Sequence, residues 1–191
     1  MNTTHPSLLQ QLKQSPDHAA SRAAWNWFVR LYTPLLCYWA RRFGLQEHDA
    51  ADLVQDVFTV LVKKLPEFSY DGSGSFRAWL RTITLNKFRD RLRQPVLSSA
   101  AAQPLPAELP QDEDSDVLEA VEYRRYVVHR ALQLMQAEFA EKTWKACWEH
   151  VVGGRPAAEV AAELGISVGS VYVAKSRVLK RLRQDLQGLL D

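Results

Sequence analysis

Residues 156–183, PAAEVAAELGISVGSVYVAKSRVLKRLR, read as two short helices joined by a tight turn, the second of them basic. Ala161 stands where the first helix has to be small to let the second cross close by. Gly165 follows four residues later, where the turn favours a residue that accepts positive φ. Val171 falls at the spacing that buries it between the two helices. Ser167 is placed to cap the second helix, which then carries Lys175, Arg177, Lys180, Arg181 and Arg183. Such a unit sets the start of its second helix in a DNA major groove and its basic remainder beside phosphates. A surface helix pair with a solvated basic face is the plainer alternative. Turn chemistry, small-residue spacing and charge agree on DNA.

The chain has 191 residues, room for one large domain or two small ones of roughly 70–100 residues each. Its 47% hydrophobic content is ample for packed cores. A net charge of +2 says nothing by itself about nucleic acid, but its distribution does. Arg77, Arg81, Lys87, Arg89, Arg91 and Arg93 stand against a lone Asp90, whereas every charge between Val96 and Glu122 is acidic. With the basic C-terminal turns, this order suggests two nucleic-acid-facing modules and an acidic segment that avoids or shields DNA.

Helical periodicity recurs along the chain and strand signals are nearly absent. An apolar stripe from about Ala19 to Phe43 is interrupted at Pro34, which predicts a kink or a break, and Gly44 is its expected C-cap. A helix over Glu47–Leu65 turns Leu53, Val54, Val57, Phe58, Leu61, Val62 and Leu65 inward and Asp49, Asp52, Gln55 and Asp56 outward; Pro66 stops it. After the turn-rich FSYDGSGS (68–75), Phe76–Arg93 forms another helix with Trp79, Leu80, Ile83 and Phe88 among its apolar positions. The segment 94–116, with Pro95, Pro104, Pro106 and Pro110 among alanines, serines and acids, reads as a flexible linker. Four or five helices are expected beyond it. The fold class is therefore all-α, two small helical domains joined by a flexible acidic, Pro-rich linker, with a C-terminal helix-turn-helix.

Enzyme signals are weak: no Gly-rich phosphate loop, nucleophile elbow or zinc-ligand spacing is present. Asp49, Asp52 and Asp56 could suggest a divalent metal, but their spacing on an amphipathic helix fits a solvated acidic face, or a docking surface for a basic partner, better. Cys147 and His150, one turn apart, lack further ligands; no metal or cofactor is expected. Phe68, Tyr70, Phe76 and Trp79 beside an arginine-rich helix suit stacking on single-stranded nucleic acid, although Phe76 and Trp79 fit better as core anchors. Cys37 and Cys147, far apart in apolar patterns, read as free thiols of a reducing compartment. Without a signal-peptide pattern or a membrane-length apolar run, a cytoplasmic protein with no membrane partner is expected.

Two blocks carry a family resemblance. Residues 49–68, DAADLVQDVFTVLVKKLPEF, and 72–93, GSGSFRAWLRTITLNKFRDRLR, the latter with F-x-x-W-L-x-x-I-x-x-N and D-x-x-R, precede the linker and the helix-turn-helix. Taken in that order, the chain resembles a bacterial RNA polymerase sigma factor of the sigma-70 family, extracytoplasmic-function (ECF) type. The resemblance implies a non-enzymatic transcription initiation factor that binds core RNA polymerase, directs it to promoters and helps open DNA. It implies a domain at 1–94 for polymerase docking and the −10 element, a linker at 95–116, and a domain at 117–191 for the −35 element. By position, Asp49, Asp52, Gln55 and Asp56 become polymerase contacts. Ser69, Tyr70, Asp71, Gly72, Ser73 and Asn86 become the pocket for an extruded −10 base, and Arg89, Arg91 and Arg93 backbone contacts. Ser170, Tyr172, Val173 and Ser176 would face the −35 bases, with Arg155, Lys175, Arg177 and Lys180 on phosphates or a guanine edge. A separate anti-sigma protein is the expected regulator.

Two features depart from the family pattern. Tyr172, Val173 and Ala174 stand where K-S-R is usual, and a Lys175-Ser176-Arg177 run comes three residues later. In 142–152, KTWKACWEHVV, Trp144 and Trp148 replace leucines, as core residues or as an exposed patch. A stand-alone dimeric helix-turn-helix regulator is the rival reading, and it predicts tight DNA binding without polymerase.

Overall fold

The computed structural model describes residues 6–13, 19–69, 75–93 and 113–190. Among them every regular element is helical. The front half holds α1 (Leu8–Lys13), α2 (Ala19–Arg42), α3 (Glu47–Lys64) with a 3-10 turn at Leu65–Glu67, and α4 (Phe76–Leu92). The back half holds α5 (Glu113–Met135), α6 (Glu141–Val151), α7 (Ala157–Leu164) and α8 (Val168–Asp185). Helix α5 starts inside the segment expected to be linker. Residues 95–112 of that linker lie outside the described residues.

Local chemistry explains most boundaries. Ser7 and Gln10 cap α1 reciprocally: the Gln10 amide donates to Ser7 Oγ at 3.3 Å and the Ser7 amide to Gln10 Oε1 at 2.9 Å. Gly44 takes φ +90° just past α2, and Pro66 enters the turn that ends α3. Ser75 caps α4, accepting from the Ala78 amide at 3.1 Å.

Of the kink or break expected at Pro34, the break does not occur; α2 runs through it. The Pro34 ring faces solvent, and the Arg30 carbonyl that would have accepted its missing N–H accepts instead from Arg130 Nε at 3.3 Å. Val62 is also corrected: it is exposed, because five residues beyond buried Val57 it is swung about 140° round the helix.

The front core is aromatic. Phe28, Tyr32 and Phe76 are fully buried, with Phe28 and Tyr32 rings 6.2 and 5.7 Å from Phe76. Phe68 and Trp79 pack edge and face onto the same cluster, at 5.4 and 5.5 Å from Phe76. These three side chains anchor α4 to the core. In the back half, Trp144 is buried and stacks on half-buried Trp148 at 5.8 Å, so both tryptophans are core.

The halves pack along α2 and α5. Tyr32 and Tyr123 hydroxyls meet at 2.9 Å, Tyr123 donates on to the Leu189 carbonyl at 2.8 Å, and Tyr126 donates to the Leu31 carbonyl at 3.1 Å. Burial and the neighbouring Tyr123 hold the Tyr32 phenol well above its ordinary pKa, so it stays neutral. Glu119 on α5 faces Arg77, Arg81 and Arg42, at 3.5, 3.8 and 3.9 Å.

Candidate nucleic-acid interface

The α7–turn–α8 unit has the geometry its sequence implies. Gly165 adopts a left-handed conformation at φ 63°, ψ 42°, closing α7. Ala161 and Val171 are buried together with Ala146, Ala157, Val160 and Ala174, a small-residue core that lets α6, α7 and α8 approach closely. Ser167 caps α8, its Oγ accepting from the Ser170 amide at 3.1 Å. The helix then buries Val171, Ala174, Val178, Leu182 and Asp185 on one face. Ser170, Tyr172, Val173, Ser176, Arg177 and Lys180 are exposed, and Lys175 is half-buried. Tyr172, Lys175, Ser176, Leu179, Lys180 and Arg183 line a shallow open groove along the helix.

Arg155 is placed differently from the others. Its guanidinium donates to Glu163 at 2.6 Å and to Glu149 at 3.3 Å, strapping α6 to α7, and Lys145 meets the other Glu163 oxygen at 3.1 Å. Hydrogen bonds from Arg155 and then Lys145 hold the Glu163 carboxyl below its ordinary range. His150 Nδ1 lies 2.8 Å from the Arg155 carbonyl, and its ring meets Tyr172 edge-on at 5.6 Å. Cys147, one turn earlier, is buried, and burial pushes its thiol pKa up. The two therefore serve packing and loop closure.

On α3, Gln55 is exposed while Asp49, Asp52 and Asp56 are partly so. Asp52 meets His48 at 3.9 Å, whereas Asp56 accepts from Arg91 Nε at 2.8 Å. Arg91 also reaches the Asp49 carbonyl at 3.4 Å. Two residues expected to meet different partners thus meet one another and tie α3 to α4. Asn86, Arg89 and Arg93 are exposed on α4 or just past it, and Ser69 is exposed at the start of the loop. Tyr70, Asp71, Gly72 and Ser73 lie outside the described residues. Sequence reasoning missed Glu119, Glu149 and Glu163 as the acids that hold these arginines; only their spacing in the folded chain reveals it.

Residues 28–95, which carry most of α2 and all of α3 and α4, match the sigma-70 region 2 family. The likeness to the sigma-70 family that this match shows is confined to those residues. It is similar to the RNA polymerase sigma factor CnrH of Cupriavidus metallidurans, 39% identical over 39% of this chain and 38% of that one. With NccH of Alcaligenes xylosoxydans, also an RNA polymerase sigma factor, it shares 41% identity over 48% of each chain. The ECF RNA polymerase sigma factor SigE of Mycolicibacterium smegmatis is 28% identical over 90% of this chain and 63% of its own length. The chain thus spans between 38 and 63% of the length of these curated relatives. The region 2 match ends at the Pro-rich segment, and the helix-turn-helix lies beyond it. Among the described residues no single helix is long and apolar enough to cross a membrane.

Proposed function

We propose that the chain is an alternative sigma factor of the ECF type, which binds core RNA polymerase and directs it to specific promoters. The observation that carries this is one chain holding both a sigma-70 region 2 match and a capped, basic helix-turn-helix. Residues 1–94 dock on polymerase through the α3 acids and engage the −10 element through the 69–75 loop, Asn86 and the α4 arginines. Residues 117–191 engage the −35 element through α8, and 95–116 tether the two. Linked modules gain effective concentration, so each can bind weakly alone. The acids of the tether repel DNA in the absence of polymerase. The protein acts in the cytoplasm beside polymerase, without chemistry of its own, and a separate anti-sigma protein restrains it.

The decisive experiment adds the purified chain to core polymerase and maps transcript starts across genomic DNA. New, shared start sites with a common upstream element support the reading. Failure to co-migrate with polymerase, together with nanomolar duplex binding by the chain alone, would replace it with the dimeric regulator.

A further inference from the structure

Resting on that reading of α8 as the −35 helix, we infer that its central base contact is apolar: Val173 seats against a thymine 5-methyl group, and thymine at that position specifies the promoter.

The argument starts from the helical wheel. At about 100° per residue, the line opposite the buried face of α8 passes within about 40° of Gly169, Val173, Ser176, Lys180 and Arg183. A recognition helix presents the N-terminal part of that line to the base edges. The residues available there are a glycine, a valine and a serine. None offers the paired donors or donor–acceptor set that reads guanine or adenine bidentately, so the polar code of the groove has no matching reader at this point. The one base feature an isopropyl group complements is the thymine methyl.

Two further observations fit a close, apolar approach. Tyr172 and Val173, adjacent in sequence, are exposed by 54 and 53%, large apolar side chains that the fold itself does not bury. Gly169 is not required by the fold either: a Cβ there would meet only Ser167 Oγ, at 3.8 Å. Its missing side chain instead lets the helix backbone come near the groove floor. The charges sit where phosphates would run, with Lys175, Lys180 and Arg183 along the groove beside Tyr172.

The test uses holoenzyme assembled from core polymerase and the full chain, on a promoter fragment recovered in the transcript-mapping experiment. Each thymine of its −35 element is replaced in turn by deoxyuridine, which removes only the methyl. One replacement should weaken binding about fourfold, the equivalent of ~0.8 kcal/mol for one methyl group withdrawn from apolar contact. Holoenzyme carrying Val173→Ala should bind the thymine promoter more weakly and be indifferent to that same replacement. Val173→Thr, which keeps the shape, should retain most of the sensitivity. Val173 is exposed, so these variants fold. An element without thymine, no deoxyuridine effect, or an effect that persists unchanged in Val173→Ala each overturns the inference while leaving the sigma reading intact. Equal weakening on both DNAs by Val173→Ala would assign the patch to a protein partner and overturn it too. If holoenzyme does not form at all, the parent reading has failed, and this one with it.

Discussion

The two regions proposed to meet DNA treat their charges in opposite ways. The arginines of the front half are held by acids: Asp56 holds Arg91, and Glu119, reaching from α5 of the back half, gathers Arg77, Arg81 and Arg42. On the back half, acid–base pairing is moved off the recognition face onto the α6–α7 strap of Arg155, Glu149, Glu163 and Lys145. The exposed start of α8 is left to uncharged side chains. The difference teaches that a charge on a helix face has two possible uses, internal and external, which sequence alone does not separate.

The largest effect that sharpens this contrast is at the α3 face. Asp52→Arg changes a residue with little structural duty, so polymerase affinity should fall by ~2–4 kcal/mol, the range of an interface hot spot, with stability held within ~0.5 kcal/mol. Asp56→Arg should also lose polymerase, but it sets a like charge against Arg91 and should cost the fold about 1 kcal/mol more. A polymerase titration paired with urea unfolding separates the two variants. Wild-type affinity in Asp52→Arg would remove the α3 acids from the docking surface.

Next in size is the back-half core. Ala161 is 4% exposed between α7 and α8, so Ala161→Leu overpacks the unit and should destabilise it by ~1–3 kcal/mol. Footprinting should then show lost protection of the upstream element while polymerase binding persists. If both fall together, the halves act as one body rather than as separable modules.

How legible each region was follows from the range of the interactions that set it. The helix-turn-helix was readable because its determinants are local: Gly165 for the left-handed turn, Ser167 for the cap, Ala161 and Val171 for the crossing. The core role of Phe76 and Trp79 was readable for the same reason, their spacing on an amphipathic helix. That α2 continues through Pro34 was not legible, because the carbonyl it frees is satisfied by Arg130, across the contact with α5. Val62 was misread by counting apolar letters rather than angles. The roles of Asp56 and Arg155 were incomplete, since their partners Arg91, Glu149 and Glu163 belong to other helices. The pocket residues from Tyr70 to Ser73 rest on the family resemblance alone.

A matched pair of caps offers a finer comparison. Ser75 and Ser167 each accept one amide hydrogen bond at 3.1 Å, at the starts of α4 and α8. Ser75→Ala and Ser167→Ala should therefore cost similar amounts, about 1 kcal/mol each. Their functional readouts should diverge. Ser75→Ala borders the −10 loop and should slow promoter opening, measured by permanganate reactivity, with closed-complex affinity kept. Ser167→Ala should weaken closed-complex formation first. Identical profiles would mean that neither cap sits beside a separate DNA contact.

The smallest effect expected is in acid, at the strap that frees the α8 face from ion pairing. Hydrogen bonds from Arg155 and Lys145 favour the Glu163 carboxylate in the folded state, so its folded pKa lies below its unfolded value of about 4.3. The sign follows from proton linkage: stabilisation is complete above the unfolded pKa and is lost as pH falls through the lower, folded one. Between pH 6 and 8 this carboxylate should contribute no slope to stability, and below about pH 4.3 it should contribute a downward one. Glu163→Gln should remove that part of the slope while leaving the rest of the acid transition, read as the difference in thermal midpoint between pH 7 and pH 3.5. Because the pair lies at the surface, added salt should shrink the difference further. A Glu163→Gln profile that overlays wild type through the acid range would show that packing of Ala146, Ala157 and Val171, not charge, holds α6 and α7 in register behind the recognition helix.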